Sequence, residues 1–194
     1  MKSVLITGAS GFIGSNLINY LLRKNLKLKI YGLYNLNKPK INYKNSKFRL
    51  IKCDLTKNII SNTLPKDIDC IFHLAGIRQP YLKDHYANEQ INNNFLMTSK
   101  ILEYAKSTNV KSFIFLSSVY IYSGSKEKKF LESIKIDPIE PLGYSKLLCE
   151  NLINFYVNNY NFKAIIFRVS TSYGNNSSKI QFIPTIINRL KSNK

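Results

Sequence analysis

Three glycines near the N-terminus restrict the fold of this chain more than any other sequence feature. An apolar run at residues 4–6 leads into TGASGFIG at residues 7–14, and an amphipathic stretch follows. Gly8 lets the backbone turn away from a strand end, Gly11 lets it approach a pyrophosphate, and Gly14 lets the next helix pack closely on the sheet. The free N–H groups at the start of that helix then face the phosphates. The pattern therefore predicts a dinucleotide-binding strand, turn and helix.

Short β-rich runs alternate with longer helical patterns along the rest of the chain. Strands are predicted at residues 4–6, 28–33, 48–53, 70–74, 112–116 and 163–167, and helices at residues 12–22, 86–107, 145–158 and 181–190. This alternation predicts the α/β class: a Rossmann-like doubly wound parallel sheet with helices on both faces. The apolar density of the strands indicates burial on both faces, with ligands at the strand C-terminal ends. Residues 124–141, rich in Lys, Glu and Pro, are expected to form an irregular loop.

The composition is that of an ordinary globular protein. At 194 residues with 44% hydrophobic residues the chain can bury a core, and no apolar run is long enough to span a membrane. Because the first apolar strand ends in a glycine turn and not in a secretory cleavage site, a cytoplasmic location is expected. The net charge of +18 comes from scattered lysines, which disfavours a nucleic-acid partner. Residues 38–47 and 126–129 still form basic patches that keep polyanion binding open as an alternative.

The three cysteines, Cys53, Cys70 and Cys149, are unevenly spaced. They form no C-x-x-C pair and have no histidine cluster beside them, a pattern that argues against a disulfide framework and a zinc site. No metal is expected, and the cysteines are predicted to be buried, reduced thiols.

Further motifs follow the predicted strand ends in a set order. They are residues 7–14, Cys53-Asp54-Leu55, His73-Leu74-Ala75-Gly76, Asn94, Ser117-Ser118-Val119, residues 141–150 and residues 168–174. In this order and spacing the whole chain resembles the extended short-chain dehydrogenase/reductase family, the nucleotide-sugar epimerases and dehydratases. The resemblance implies an NAD(P)-binding Rossmann domain at residues 1–175 and the start of a truncated substrate domain at residues 176–194.

The resemblance also implies partners and a role. The expected substrate is a nucleotide sugar of polysaccharide biosynthesis, the expected cofactor is NAD or NADP with NAD preferred, and two long helices are expected to form a homodimer. The residues that would bind the cofactor are Gly8, Ser10, Gly11, Phe12, Ile13, Gly14, Asn35, Asp54, Leu55, Leu74, Ala75, Gly76, Asn94 and Lys146.

Three of the matching polar residues have alternative interpretations. Asp54 either accepts a hydrogen bond from the adenine amine or forms a strand-end turn. Asn94 either binds backbone near the active site, which its helical register favours, or is polar helix surface. His73 is interpreted as a packed strand residue and not as a catalyst.

Hydride transfer to or from a sugar carbon needs a proton acceptor on the hydroxyl and a donor that polarises the carbonyl. The family meets this need with Ser or Thr, Tyr and Lys. By resemblance Ser118, two residues past a predicted strand, hydrogen-bonds the reacting oxygen, with a plain strand-end serine as the alternative. Lys146 would bind the nicotinamide ribose and act electrostatically on a neighbouring phenol. Glu150, one helical turn later, fits the same pattern or pairs with Lys146 on the surface.

The position that decides the chemistry departs from the family. The catalytic tyrosine should stand four residues before Lys146, where this chain has Leu142. Tyr144 is the third catalytic candidate, but two residues correspond to about 200° around a helix and place it on nearly the opposite face. Three explanations stay open: a non-helical start at Gly143 that re-aims Tyr144, another phenol such as Tyr120 or Tyr81, or loss of the proton-transfer step.

Two further departures concern the cofactor and the substrate domain. Tyr34 stands where the family has an acidic residue, while Asn35 can still bond a ribose and Lys38 or Lys40 can meet a 2′-phosphate, so NADP stays open. Asn175 stands where a proline is usual, and the chain stops where most of the substrate domain would begin. The sequence therefore predicts an NAD(P)-dependent epimerase/dehydratase-type enzyme with impaired activity. A non-catalytic NAD(P)-binding or partner-binding pseudoenzyme is the alternative.

Overall fold

The computed structural model of the chain describes residues 1–24, 26–39, 41, 46–57, 64–78, 86–160, 163–174, 177 and 182–192. The strands are β1 (Ser3–Thr7), β2 (Lys29–Tyr34), β3 (Phe48–Lys52), β4 (Cys70–His73), β5 (Ser112–Ser118) and β6 (Lys163–Val169). The helices are α1 (Phe12–Arg23), α2 (Tyr86–Ser107), α3 (Pro141–Asn159) and α4 (Phe182–Lys191), with a short 3₁₀ helix at Val119–Tyr122. No described helix is both long enough and apolar enough to cross a membrane.

The six strands of the described chain lie parallel in one sheet, in the order β3-β2-β1-β4-β5-β6. Ile6 of β1 pairs with Gly32 of β2 on one side and with Phe72 of β4 on the other. The strand order changes direction between β1 and β4, and the carboxyl ends of these strands form the crevice where such sheets bind ligands. The predicted Rossmann-like parallel sheet is confirmed.

Helices cover both faces of the sheet because successive side chains of a strand point to opposite faces. Leu5 belongs to a core that also contains Ile101 of α2 and Ile153 of α3. The next residue, Ile6, packs on the other face in a core that contains Ile18 of α1. All five residues of β1 are buried, because this strand lies between the two layers of helices.

The prediction that every strand is buried on both faces is wrong for the two edge strands. In β6, Ile165 and Phe167 are 54% and 51% exposed, whereas Ala164 and Ile166 pack against the core. In β3 only one of the five residues, Ile51, is buried. Both strands lie at an edge of the sheet, where each has one neighbouring strand instead of two. The apolar residues of a strand do not by themselves reveal whether it lies at an edge or in the centre.

Two predicted boundaries differ in ways that affect the site. β5 continues to Ser118, so this serine is the last strand residue instead of lying two residues past the strand. Helix α3 begins at Pro141, four residues before the predicted Ser145, because proline is already set for the first position of a helix. The last helix begins at Phe182, and position 181 of its predicted range lies outside the described residues.

The cysteines largely follow expectation. Cys70 and Cys149 are buried free thiols, whereas Cys53 is only partly buried, which corrects the prediction for that residue. Its position just after β3, at a strand end that borders a cavity, explains the partial exposure.

The glycine turn packs so closely that side chains are excluded from it. Gly8 has a φ of +67°, and its carbonyl accepts a hydrogen bond from the Gly11 N–H at 2.9 Å. A Cβ atom at Gly14 would lie 2.2 Å from the Gly8 carbonyl oxygen. Helix α1 therefore reaches its position on the sheet only because residue 14 has no side chain.

Replacing Gly14 by alanine is expected to destabilise the fold. The clash involves backbone atoms that cannot swing away, so Gly14→Ala should lower the free energy of unfolding by about 1–3 kcal/mol. Urea unfolding followed by circular dichroism measures the change. Gly76→Ala is the matched control, because the nearest atom to its Cβ would be the flexible Lys146 Nζ at 3.4 Å. Equal losses in the two variants would contradict the packing explanation.

Candidate functional site

Two adjoining cavities open at the carboxyl ends of the central strands. One, of about 370 Å³, lies between the glycine turn after β1 and the start of α3, and is called the α3 cavity. The other, of about 280 Å³, lies between the glycine turn and the end of β2, and is called the β2 cavity. Gly8 and Gly11 line both cavities, so the glycine turn stands between two compartments.

The two cavities bring most of the candidate residues together. The α3 cavity is lined by the candidates Gly8, Gly11, Phe12, Ile13, Gly14, Leu74, Gly76, Ser118 and Lys146. The β2 cavity adds Ser10, Asn35, Leu55 and Ala75. Three candidates, Asp54, Asn94 and Tyr144, line neither cavity.

The start of α1 is suited to an anion. Its N-cap residue is Gly11, no side chain caps the first turn, and the first turn contains no acidic residue. The first N–H groups of a helix lack intrahelical acceptors and carry the positive end of the helix dipole. An anion between the two cavities would satisfy them, so the residues present fit the diphosphate of a dinucleotide.

Beneath the cavities a buried histidine is held in one tautomer. Thr7 Oγ1 accepts hydrogen bonds from the N–H groups of Leu74 (3.1 Å) and Ala75 (3.0 Å) and lies 2.8 Å from His73 Nδ1. Because both lone pairs of this hydroxyl are occupied, its proton is donated to Nδ1. His73 Nε2 therefore carries the ring proton and donates to Thr98 Oγ1 at 3.1 Å.

His73 has a structural role, as the sequence predicted. Its ring is fully buried beside the rings of Phe113 and Phe115, with centroids 5.9 and 5.8 Å away. Burial, with a smaller contribution from the Lys146 charge, lowers the pKa of His73 to about 3. The imidazole is therefore neutral at physiological pH, and it fixes the ends of β1 and β4 together.

Asn94 connects two walls of the α3 cavity from below. Its Oδ1 accepts the Ile77 N–H at 2.7 Å, and its Nδ2 donates to the Ile77 carbonyl at 3.1 Å and to Ser145 Oγ at 3.0 Å. Ser145 Oγ in turn donates to the Leu142 carbonyl at 2.8 Å. The prediction of a backbone-binding Asn94 is confirmed, and the alternative of polar helix surface is wrong.

Lys146 extends from α3 to the floor of the α3 cavity. Its Nζ donates to the Leu116 carbonyl at 2.7 Å and lies 4.6 Å from the centroid of the Phe115 ring. Burial lowers the pKa of this amine to about 8, while the nearby groups of Cys149 and Glu150 oppose the change. A cation reaching the cavity floor can pair with a polar or anionic ligand group.

Of the other two catalytic candidates, Ser118 lines the α3 cavity and Tyr144 does not. Ser118 Oγ accepts the N–H of Tyr120 at 3.2 Å, which caps the 3₁₀ helix and leaves the serine proton free to be donated. Tyr144 lies in the first turn of a helix that already starts at Pro141, and its side chain is 49% exposed. The explanation that a non-helical start at Gly143 re-aims Tyr144 is therefore wrong.

Glu150 does not pair with Lys146 on the surface, which corrects that expectation. Glu150 is buried, and its Oε2 accepts from Nη2 of Arg168 at 2.8 Å, while Ser117 Oγ donates to Oε1. Arg168 also donates to the hydroxyl of Tyr122. The ion pair joins α3 to β6 and to the end of β5, next to Ser118.

Between two residues that line the β2 cavity, Cys53 and Leu55, Asp54 forms the strand-end turn that the sequence left as an alternative. Its Oδ1 accepts the Thr56 N–H at 3.0 Å and the Thr56 hydroxyl at 2.7 Å. These hydrogen bonds lower the pKa of Asp54, and the Asn35 side chain adds another. Tyr34 and Asn35 line the β2 cavity, Lys38 does not, and Lys40 lies outside the described residues.

Sequence reasoning missed Arg78, which lines the α3 cavity. Its guanidinium carbon lies 5.8 Å from the centroid of the Tyr120 ring. Arg78 belongs to no recognised motif. The one sequence feature that could have indicated it is its position as a cation two residues after Gly76, close to the end of a predicted strand. The described lining of the α3 cavity contains Arg78 and Lys146 as cations and no carboxylate, so this cavity favours anionic ligands.

Tyr81 and Asn175 lie outside the described residues. Within the described ranges no group of three His, Cys, Asp or Glu side chains is positioned to hold a metal ion.

Comparison with known proteins identifies the family. The model of the NAD dependent epimerase/dehydratase family matches residues 4–194. The chain belongs to this family. It is 31% identical over 184 residues to the uncharacterized UDP-glucose epimerase YtcB of Bacillus subtilis, covering 88% of this chain, and 30% identical over 202 residues to human dTDP-D-glucose 4,6-dehydratase, covering 100%. It spans 57% of the length of each of these relatives.

Solved structures of epimerases have the same fold. A UDP-glucuronic acid 4-epimerase from Bacillus cereus in complex with NAD superposes with a TM-score of 0.86 at 29% identity, covering 99% of this chain and 63% of that one. A UDP-N-acetylglucosamine 4-epimerase from Methanobrevibacter ruminantium in complex with UDP-N-acetylmuramic acid gives 0.83 at 25% identity, covering 100% and 64%. The resemblance predicted from the motifs is therefore confirmed.

His73 is expected to stay neutral across the physiological range. Nitrogen-15 NMR should show a protonated Nε2 and an unprotonated Nδ1 with no titration between about pH 5 and 8. Because the folded pKa of about 3 lies below the unfolded value of 6.5, the unfolded state takes up the extra proton first as the pH falls. The stability contribution of the neutral ring is thus complete above pH 6.5 and is lost toward pH 3, at up to about 1.4 kcal/mol per pH unit. His73→Gln should lack this slope, and an identical slope would contradict the assignment.

Removing Glu150 is expected to destabilise the chain strongly. Glu150→Ala leaves the partly buried Arg168 guanidinium without its buried carboxylate partner, and the free energy of unfolding should fall by about 3 kcal/mol. Lys111→Ala is the matched control: it removes an ion pair with Asp69 whose lysine is 79% exposed, and should change stability by less than about 1 kcal/mol. Chemical denaturation compares the two, and similar small losses would show that the Glu150 pair is not a structural anchor.

Proposed function

We propose that the chain binds NAD across its two cavities and acts in NAD-dependent chemistry on a nucleotide sugar. The observation that carries the proposal is the uncapped start of α1 at Gly11, which lies between the α3 and β2 cavities at the switch point of the sheet. Family membership and relatives named as UDP-sugar epimerases and dTDP-D-glucose 4,6-dehydratases support the same conclusion.

The two cavities would receive different ends of the dinucleotide. The glycine turn would bind the diphosphate, Asn35 and Leu55 would contact the adenosine, and Gly76 and Lys146 would contact the nicotinamide ribose. When bound, NAD supplies the acceptor and donor of the hydride. The chain orients it, because the glycine turn, β4 and α3 are held together by buried hydrogen bonds.

The catalytic roles proposed for this chain follow from the free hydrogen-bonding groups. Ser118 accepts from the Tyr120 backbone and keeps its proton to donate to a sugar oxygen. Lys146 donates one N–H to the Leu116 carbonyl, and its ammonium group has two further N–H donors for a ligand. Both side chains line the α3 cavity.

NAD is proposed in preference to NADP on the composition of the β2 cavity. Tyr34 and Asn35 stand at the end of β2, and the described lining of this cavity contains neither a carboxylate nor a cation. A 2′-phosphate needs a cationic partner, whereas the amide of Asn35 can bond a ribose hydroxyl.

One observation favours a second candidate function. Leu142 lines the α3 cavity at the position where the family has its catalytic tyrosine. If no other group transfers the proton, the chain would bind the cofactor and partners but would not turn over a substrate. Turnover of a nucleotide sugar by the wild type separates the enzyme from this non-catalytic alternative.

Calorimetric titration with NAD⁺ and NADP⁺ tests the cofactor proposal. Moderate salt is needed because a net charge of +18 attracts anions without specificity. NAD⁺ should bind more tightly than NADP⁺, and Gly11→Ala should weaken NAD⁺ binding at least about tenfold, since a methyl group would occupy the approach of the diphosphate.

The Gly11 variant should keep its fold, because its Cβ would meet only the Gly8 carbonyl, at 3.2 Å. Tyr20→Phe, a change at an exposed side chain of α1, is the control for affinity. Absence of binding by either dinucleotide would refute the proposed function, and tighter binding of NADP⁺ would refute the assignment to Asn35.

A further inference from the structure

The α3 cavity lacks a phenol from α3 but has one from the neighbouring 3₁₀ helix. Tyr120 lines this cavity together with Ser118, Leu142 and Lys146, whereas Tyr144 does not. We propose that Tyr120 is the proton-accepting phenol of this cavity and takes the role that a tyrosine at position 142 would have. The inference rests on the proposed function, since it requires NAD and a sugar to bind in the α3 cavity.

Two backbone contacts fix Tyr120 at the cavity wall. Its N–H donates to Ser118 Oγ at 3.2 Å, so the phenol and the hydroxyl donor belong to one hydrogen-bonded turn. Its carbonyl packs against α3 at Gly143, where a Cβ atom would lie 2.2 Å from the Tyr120 oxygen. The glycine thus allows the 3₁₀ helix to lie directly against the first turn of α3, which carries Leu142.

The Tyr120 ring lies near a cation. The Arg78 guanidinium carbon lies 5.8 Å from the Tyr120 ring centroid, within the range of a cation–π interaction. Arg78 comes from the segment after β4, so Tyr120 is approached from two walls: α3 packs against its backbone carbonyl, and Arg78 lies near its ring. A side chain positioned by backbone on one wall and by a charge on the other is better oriented for chemistry than a free surface tyrosine.

The charges of the cavity favour negatively charged groups. Arg78 and Lys146 line it, and no described lining residue is a carboxylate. No histidine belongs to the described lining either, and His73 lies buried below it. Tyr120 is the phenol among the described lining residues, and a phenol oxygen can exchange a proton with a sugar hydroxyl.

The roles then divide between neighbouring groups. In the oxidation of a sugar alcohol, bound NAD⁺ would supply the acceptor for the hydride that leaves the carbon, and would be reduced to NADH. The phenolate oxygen of Tyr120 would take the hydroxyl proton and become neutral, while Ser118 would donate a hydrogen bond to the forming carbonyl. The alcohol would become a ketone, and the reverse transfer would return the proton and the hydride.

The first test is a kinetic comparison of matched tyrosine variants. The 194-residue protein is saturated with NAD⁺ and mixed rapidly with UDP-glucuronic acid, and the NADH formed transiently in the first turnover is followed by stopped-flow absorbance. Tyr120→Phe should slow this step at least about 100-fold while the affinity for NAD⁺ stays within about twofold. Tyr20→Phe, at an exposed position on α1, should behave as the wild type. Adding Leu142→Tyr to Tyr120→Phe should restore part of the rate, because a phenol returns one helical turn before Lys146.

The second test does not depend on turnover. With carbon-13 at tyrosine Cζ, the Tyr120 resonance is assigned by its loss in Tyr120→Phe, and NAD⁺ is then added. The Tyr120 signal should shift as NAD⁺ saturates the protein and the Tyr20 signal should not, because the nicotinamide end would lie in the α3 cavity beside Tyr120.

The outcomes separate this inference from the proposed function. Absence of NAD⁺ binding would overturn both. Binding of NAD⁺ without a shift of the Tyr120 signal, or with undiminished NADH formation in Tyr120→Phe, would overturn the role of Tyr120 and leave the cofactor site intact. Binding of NAD⁺ by a wild type that forms no NADH would do the same and would favour the non-catalytic alternative. A shifted signal together with the loss and the rescue of the rate would establish Tyr120 as a catalytic residue.

Discussion

A buried line of hydrogen bonds joins the glycine turn to α3, and the geometry of both cavities depends on it. It runs from Thr7 at the end of β1 through His73 of β4 to Thr98 of α2, and from Asn94 of the same helix to Ser145 of α3. Each of these five side chains is buried, so a broken bond would leave a polar group unpaired in the interior. The strand that leads into the glycine turn and the helix that forms the opposite wall therefore keep one relative position.

The glycine turn and the cavity wall formed by α3 differ in how closely they follow the family pattern. The glycine turn has the positive φ at Gly8, the close helix contact and the uncapped helix N-terminus that suit a diphosphate. The wall formed by α3 keeps Lys146 but presents Leu142 to the cavity. This departure from the family is confined to one side chain of the wall, and Tyr120 and Arg78 line the same cavity.

Several features were predictable because they depend on residues close in sequence. The alternation of short apolar runs and helical patterns identified the six strands and the long helices, and the spacing of Gly8, Gly11 and Gly14 identified the turn. Local patterns did not reveal the length of β5 or the start of α3. Ser118 continues the strand because β6 pairs with β5 as far as Val169, and Pro141 starts the helix because its φ already suits the first turn.

The sequence by itself determined the order of the elements, the glycine turn and the absence of a tyrosine four residues before Lys146. Only the tertiary structure decided that Glu150 pairs with Arg168 instead of Lys146, and that Tyr120 and Arg78 share a cavity with Leu142. The physical reason is that periodicity and backbone conformation are local, whereas these contacts join residues far apart in the chain. Strand order and the packing of α3 on the sheet bring them together, and neither is encoded in a single segment.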